Sequence, residues 1–211
     1  MKLFIIAPIN DDITQKTTSI WAQEIADFAL AQKIQVISFI GENVNKKQVL
    51  DALKLDQGEA GIFCYLDHGV EDKIFDSKGD SLLDLDNISL LENKFVYIIA
   101  CLTGKTLGPA AIEAGALGFL GYKEKVKLFL RKDYPSQAGA CLSTGLVGML
   151  KNGLSAKEAA QNIAKKMRDT ERNILNANEI IPDRLFIADT FRHNLDSLIL
   201  YGNKDWCWEF K

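Results

Sequence analysis

The stretch GIFCYLDHGV, residues 61–70, decides the fold that the sequence predicts. Six apolar residues come first, and Asp67, His68 and Gly69 follow them. A short apolar run without polar alternation is typical of a central parallel strand that helices cover on both faces. His68, one of only two histidines in 211 residues, therefore stands at the carboxyl end of a strand predicted to be buried.

Similar apolar runs alternate with longer amphipathic segments along the whole chain, a pattern that predicts a mostly parallel sheet wrapped by helices. The predicted strands cover residues 2–6, 34–40, 60–66, 95–100, 117–122 and 196–202. The predicted helices cover 17–32, 44–56, a short segment from near Asp86, part of 103–116, 136–151, and 155–176 with a Ser155–Glu158 capping box. The sequence thus predicts one domain over residues 1–211, a three-layer α/β sandwich with about six strands.

Composition excludes several classes of function. The net charge of −3 gives no cationic field for nucleic acid, and the mixed segment 123–132 is interpreted as a solvated helix face. No apolar run reaches the roughly 18 residues of a membrane helix. We expect a cytoplasmic protein with no membrane partner.

The four cysteines show neither CxxC pairs nor metal-ligand spacing, so no metal or organic cofactor is expected. Cys64 and Cys141 lie in apolar segments that predict packing roles, whereas Cys207 lies in an aromatic tail. The other histidine, His193, is interpreted as a surface or capping residue. Cys101 differs, because it directly follows a predicted strand.

Two strand ends carry residues that together can perform chemistry. His68 and Gly69 end one strand, and Ala100 and Cys101 end the next. If these strands are neighbours, about 4.8 Å apart, an imidazole and a thiol leave the same edge of the sheet. A helix expected just after Cys101 would favour the thiolate, His68 would transfer the proton, and Gly69 would bring a backbone N–H close to an oxyanion.

This arrangement resembles the caspase-like cysteine peptidases, which include caspases, metacaspases, gingipains, clostripain and separase. YLDHG at 65–69 and YIIACLTG at 97–104 carry the likeness, which covers about residues 60–202. The segment ACLTGKTLGPAAIEAGALGFLGY at 100–122 is most similar to bacterial CHAT-type domains. The resemblance implies a caspase-like fold, with His68 as general base and acid, Cys101 as nucleophile and Gly69 as an oxyanion-hole donor.

The resemblance also implies a pocket beside the dyad that selects the side chain before the scissile bond. Its loops hold Asp11 and Asp12 after the first strand and Glu124 after the fifth. Asp67 is expected to line the pocket, to orient the histidine ring or to cap the loop. Carboxylates there would favour an Arg or Lys side chain. Metacaspases, legumain and clostripain carry an acidic residue one or two positions before the cysteine, where this chain has Ile99 and Ala100, so the preference for a basic residue stays open.

The sequence therefore predicts a cysteine endopeptidase that acts on a protein or peptide, and the resemblance to CHAT-type domains implies a bacterial regulatory protease. Two alternatives remain. One is a catalytically inactive scaffold or binding module with the same fold. The other is a doubly wound small-molecule enzyme or receptor domain, in which the His-Gly and Ala-Cys dipeptides are coincidental.

Overall fold

The computed structural model describes residues 1–130, 134–178 and 180–209. The strands of its main sheet are β1 (Lys2–Pro8), β2 (Gln35–Gly41), β3 (Gly61–Leu66), β6 (Lys94–Ile99), β7 (Gly118–Tyr122) and β8 (Leu198–Gly202). They lie in the order β2-β1-β3-β6-β7-β8. The five neighbouring strands from β2 to β7 run parallel, and β8 pairs antiparallel with β7.

Helices cover both faces of this sheet. They are α1 (Asp12–Lys16), α2 (Thr18–Ala31), α3 (Lys46–Leu55), α4 (Leu107–Glu113), α5 (Tyr134–Asn152), α6 (Ala156–Asn176) and α7 (Arg184–Ser197), with a 3₁₀ helix at Ile88–Leu91. A hairpin of β4 (Lys73–Phe75) and β5 (Ser81–Asp84) forms a separate two-stranded sheet. The predicted three-layer α/β fold is confirmed.

The core consists of two apolar clusters, one on each face of the sheet. Strand β3 shows why, because Ile62, Cys64 and Leu66 pack toward α2 and α5–α7, whereas Phe63 and Tyr65 pack toward α3, α4 and the hairpin. Successive side chains of a strand point to opposite faces. A central strand therefore has to be apolar at every position, as β3 is.

Several predictions about individual elements need correction. Residues 123–130 form no helix, so the prediction of a helical face there is wrong; residues 131 and 132 lie outside the described residues. The sequence prediction also missed α1, the β4–β5 hairpin and α7. The Ser155–Glu158 capping box of α6 is confirmed. No helix in the described ranges has the length and apolar character needed to span a membrane.

Candidate active site

The carboxyl ends of β3 and β6 lie side by side. The two strands pair in parallel with Leu66 opposite Ile99, and the Asp67 N–H donates to the Ile99 carbonyl at 3.3 Å. The ladder thus continues one residue beyond β3. His68 and Cys101 consequently leave neighbouring strands at the same edge of the sheet, as the sequence predicted.

Gly69 packs directly against the turn that holds Cys101. A Cβ atom placed on Gly69 would lie 2.8 Å from Thr103 Cγ2, 3.0 Å from Ala100 Cβ and 3.2 Å from the Cys101 carbonyl oxygen. The first two distances are too short for ordinary packing, so only glycine fits here. Within the described residues, the N–H groups of Gly69 and Cys101 donate no hydrogen bond.

The turn after Cys101 has an unusual backbone conformation. Leu102 has a φ of 64°, in the left-handed region that non-glycine residues seldom occupy. Its N–H donates to the Glu124 carbonyl at 3.1 Å, and its carbonyl accepts from the Lys105 N–H at 2.9 Å. Such backbone strain persists where the surroundings hold it, often at functional sites. The hydrogen bond from Leu102 to Glu124 connects the loop after β7 to the Cys101 turn.

The turn and helix predicted within residues 103–116 are present, but the helix begins several residues after Cys101. Helix α4 begins at Leu107, and only seven residues belong to it. The Leu107 N–H donates to the Glu71 carbonyl at 2.8 Å, and the Gly108 N–H to the Thr103 carbonyl at 2.9 Å. These N–H groups therefore donate to backbone carbonyls and not to the sulfur of Cys101.

Asp11 holds the imidazole of His68. The Nε2 atom of His68 lies 2.8 Å from Oδ2 of Asp11, and both side chains are a little under half exposed. The other carboxylate oxygen accepts the Thr14 N–H at 2.9 Å, which makes Asp11 the N-cap of α1. Burial raises the pKa of Asp11, but the hydrogen bonds from Thr14 and His68 outweigh it and leave the pKa below its ordinary value.

Asp67 lies beneath the site, with only 6% of its surface exposed. Oδ2 accepts a hydrogen bond from the Asn10 amide at 2.5 Å, and Oδ1 is buried without a partner among the described residues. Burial raises the pKa of Asp67 to about 7, against the opposing effects of His68 and the Asn10 hydrogen bond. Asp67 therefore anchors the loop after β1 rather than presenting its carboxylate at the surface.

The other two predicted substrate-binding carboxylates are exposed. Asp12 forms an i,i+4 ion pair with Lys16 on α1, at 3.1 Å. Glu124 is exposed between Lys123 and Lys125, which are exposed as well. The main-chain carbonyl of Glu124 is hydrogen-bonded to the Cys101 turn. Among the described residues, the carboxylates of Asp12 and Glu124 contact neither His68 nor Cys101.

The cysteines divide as the sequence predicted. Cys64 and Cys141 are buried, while Cys101 and Cys207 are half-buried. Burial raises the pKa of Cys64, and it raises that of Cys141 despite a 3.4 Å contact with the Thr170 hydroxyl. Across the described ranges, no three His, Cys, Asp or Glu side chains form a group suited to a metal ion.

Sequence reasoning missed three contributors to the site. Asn10 was not considered, although it directly precedes Asp11 and Asp12. The Asp11–Thr14 spacing is that of an N-cap followed by its capping-box partner, a signal that could have located α1. The strain at Leu102 leaves no signal in the sequence, because leucine is common in helices and strands.

The comparisons with known proteins concern the fold. No protein-family model matches the sequence, and no curated protein matches it. Among solved structures, the chain is similar to gingipain RgpB of Porphyromonas gingivalis, in a complex of its pro- and mature domains, with a TM-score of 0.64 and 14% identity. The fold is caspase-like.

The match to RgpB covers 97% of this chain and 47% of the other, so the chain spans about half of that structure's length. Protein GSU0716 from Geobacter sulfurreducens is similar over 79% of this chain and 89% of its own, with 14% identity and a TM-score of 0.44. A likeness at that TM-score supports no conclusion. The caspase-like likeness leaves the chemistry to be argued from the residues of this chain.

Proposed function

We propose that the chain is a cysteine peptidase in which Cys101 is the nucleophile and His68 transfers the proton. One observation carries the proposal: the His68–Gly69 loop packs on the Cys101 turn at a shared edge of the sheet. The caspase-like fold supports it, because the gingipains are among the cysteine peptidases of that class. CHAT-type likeness, a bacterial cytoplasmic setting, and a protein or peptide substrate without nucleic acid or membrane remain part of the proposal.

The proposed reaction begins with proton transfer. Because Nε2 of His68 is bonded to Asp11, Nδ1 is the nitrogen that takes the proton of the Cys101 thiol. The thiolate attacks the peptide carbonyl carbon, and the negative oxygen is stabilised by the free N–H groups of Gly69 and Cys101. Collapse breaks the C–N bond, and the leaving amine takes the proton from His68.

The second half of the reaction releases the acid. Water gives a proton to Nδ1 of His68 while its oxygen attacks the thioester carbonyl. The C–S bond then breaks, and the thiolate of Cys101 recovers the proton. Asp11 accompanies both halves as a positioning residue, because its carboxylate holds the ring and stabilises the imidazolium.

The predicted preference for a basic residue before the scissile bond rests now on Asp12 and Glu124. Both are exposed, Asp12 as the first residue of α1 and Glu124 in the loop after β7, whereas Asp67 is buried and Asp11 is hydrogen-bonded to His68. We expect a fluorogenic peptide ending in Arg or Lys to be cleaved at least about tenfold faster than its Asp counterpart. Faster cleavage of the Asp peptide would overturn the preference and leave the dyad intact.

Thiol alkylation tests the dyad without a substrate. At pH 7 we expect iodoacetamide to modify Cys101 at least about tenfold faster than Cys207, because His68 accepts the Cys101 proton. Cys207 is the matched control, since it is half-buried like Cys101 and has no His contact among the described residues. His68→Ala should remove the difference, as measured by mass spectrometry of the modified peptides.

The alternative is an inactive caspase-like scaffold or binding module. One observation favours it: the first N–H groups of α4 are bonded to carbonyls and do not help to ionise Cys101. Equal alkylation rates for Cys101 and Cys207 in the unmodified chain would support the scaffold and contradict the peptidase.

A further inference from the structure

The outer edge of β8 is open. Strand β8 ends the sheet order, and no strand within residues 1–130, 134–178 and 180–209 pairs with its far side. A backbone hydrogen bond of 2.9 Å lies at each end of its pairing with β7. The Lys123 N–H donates to the Ser197 carbonyl, and the Asn203 N–H donates to the Leu117 carbonyl. These two hydrogen bonds determine which residues of β8 direct their backbone N–H and C=O groups toward β7, because residue pairs in an antiparallel ladder alternate between hydrogen-bonded and non-hydrogen-bonded pairs.

The alternation turns every second peptide group of β8 outward. Ile199 and Tyr201 occupy the bonded pairs with β7, so the N–H and C=O groups of Leu198, Leu200 and Gly202 point away from it. The Leu198 N–H donates a hydrogen bond to the Leu195 carbonyl at the end of α7. The remaining outward groups, among them both groups of Leu200, have no partner in the described chain.

A cleft of about 350 Å³ lies beside this edge, between β8 and α6. Its wall is mostly apolar. Ala160 and Ala164 lie one helical turn apart on α6, and their small side chains leave the space that forms the cleft. Leu198 and Leu200 project to this side of the sheet. An edge with unpaired groups next to an apolar cleft is the arrangement that accepts an added strand, whose alternate side chains enter the cleft.

The charge of the cleft is positive. Its two charged lining residues are Lys157 and Lys204, and no carboxylate lines it. The Lys157 N–H donates to the Lys204 carbonyl at 2.9 Å, which holds the two lysines next to each other. Both are exposed, and neither forms an ion pair within the described residues.

We propose that β8 binds an extended segment of a partner protein, with aliphatic side chains at alternate positions and an acidic side chain at the end near Lys204. The segment bonds to the outward groups of Leu200, its aliphatic side chains fill the α6–β8 cleft, and its carboxylate lies against the two lysines. This docking site is separate from the dyad and does not depend on peptidase activity.

A second copy of the chain fits the cleft less well. Two copies paired antiparallel through β8 would set Leu198–Gly202 of each chain against the other, and this strand carries no carboxylate for the two lysines. Charge complementarity therefore favours an acidic partner segment.

Two synthetic peptides test the proposal. The first alternates leucine with threonine and has aspartate at both ends; the second has lysine in place of each aspartate. Binding is measured by fluorescence anisotropy with the Cys101→Ala chain, so that no cleavage occurs. We expect at least tenfold tighter binding of the acidic peptide, and a reversed preference in Lys157→Glu/Lys204→Glu. Lys54→Glu/Lys78→Glu makes the same charge change on exposed residues elsewhere and should leave binding unchanged.

Leu200→Pro tests the backbone pairing. Proline removes the outward N–H of Leu200 and spares the bonded pairs with β7, so binding should weaken at least tenfold. Ala164→Leu, which fills the cleft, provides a second variant should the proline variant fail to fold. Equal affinity for the two peptides would overturn the proposal. So would a homodimer, seen by light scattering, that the Lys157→Glu/Lys204→Glu variant leaves intact and Leu200→Pro abolishes.

Discussion

The buried carboxyl group of Asp67 lies one residue before His68, and its contribution to the free energy of unfolding depends on pH. Burial raises its pKa from an ordinary 3.8 to about 7. Between these values the folded chain binds more protons than the unfolded chain, so the free energy of unfolding falls as pH rises. The stabilising protonated form is complete below about pH 4 and lost as pH rises through about 7.

We therefore expect Asp67→Asn to remove this dependence. Over the window from about pH 4 to 7 the unmodified chain should lose on the order of 3 kcal/mol relative to the variant. Denaturant unfolding at several pH values measures the difference in slope. Asp12→Asn is the control, because Asp12 is exposed, and it should leave the slope unchanged. A parallel slope for Asp67→Asn and the unmodified chain would contradict the assignment.

Gly69 is the residue whose substitution tests the contact between the two loops. Gly69→Ala would place a Cβ 2.8 Å from Thr103 Cγ2 and 3.0 Å from Ala100 Cβ. We expect a loss of about 1–3 kcal/mol in stability and a larger loss of peptidase activity, since the His68 loop must move away from Cys101. Melting temperature and peptide cleavage measure the two effects.

A second substitution distinguishes this contact from a general effect of alanine. Thr103→Ser removes the nearest methyl group, so it should restore part of the stability lost in Gly69→Ala. Alone, Thr103→Ser should change activity little. A double variant no more stable than Gly69→Ala would show that the close approach lies elsewhere.

At the scale of elements, α1 links fold and chemistry, because one carboxylate caps the helix and holds His68. Asp11→Asn retains an oxygen for the Thr14 N–H and removes the charge beside His68, whereas Asp11→Ala removes both. We expect Asp11→Asn to keep stability nearly unchanged and Asp11→Ala to cost about 1 kcal/mol. Both should lower kcat at least about tenfold.

The two readouts separate the roles of Asp11. Thermal unfolding reports the cap, and kcat with KM for a fluorogenic peptide reports the positioning of the ring. A variant Asp11→Asn with unchanged kcat would show that Asp11 serves the helix alone. Gln15→Ala is the matched control, since Gln15 is exposed on the same helix and its side chain makes no contact with His68 among the described residues.

The sequence predicted the strands well because burial on both faces leaves no choice of residue. Strand β3 is apolar at all six positions, and its length and register follow from that pattern. Helix α1 has only five residues, and the buried face of α7 includes the polar residues Thr190, Asn194 and Ser197, so neither helix shows a clear apolar period in the sequence. The edge shared by His68 and Cys101 was predicted because parallel strands deliver their carboxyl ends to one side.

Other features of the site could not be predicted, because they arise from contacts between distant residues. Asn10 and Asp67 are 57 positions apart, as are Asp11 and His68. No periodicity records such pairs. The helix expected after Cys101 begins only at Leu107 for a local reason, since the chain first makes the strained turn at Leu102.

At the scale of the whole molecule, the carboxyl ends and the amino ends of the parallel strands carry different groups of polar residues. The carboxyl edge holds the proposed dyad, and the amino edge holds a buried ionic cluster around Asp56. Lys94 is fully buried there, with Nζ donating to the Asp56 carbonyl at 2.9 Å and to the Glu59 carbonyl. It also lies 3.1 Å from the Asp56 carboxylate, which a second lysine, Lys2, contacts at 2.5 Å.

This separation predicts that stability and activity can be changed independently. Lys94→Met leaves two buried carbonyls without their donor and Asp56 without one cation, so we expect a loss of at least about 3 kcal/mol in the free energy of unfolding. Because Lys94 and the dyad lie at opposite ends of β6, the folded fraction should retain its cleavage rate per molecule at low temperature. Denaturant unfolding and active-site titration measure the two quantities. A fall in the rate per folded molecule would show instead that the amino edge also determines the geometry of the dyad.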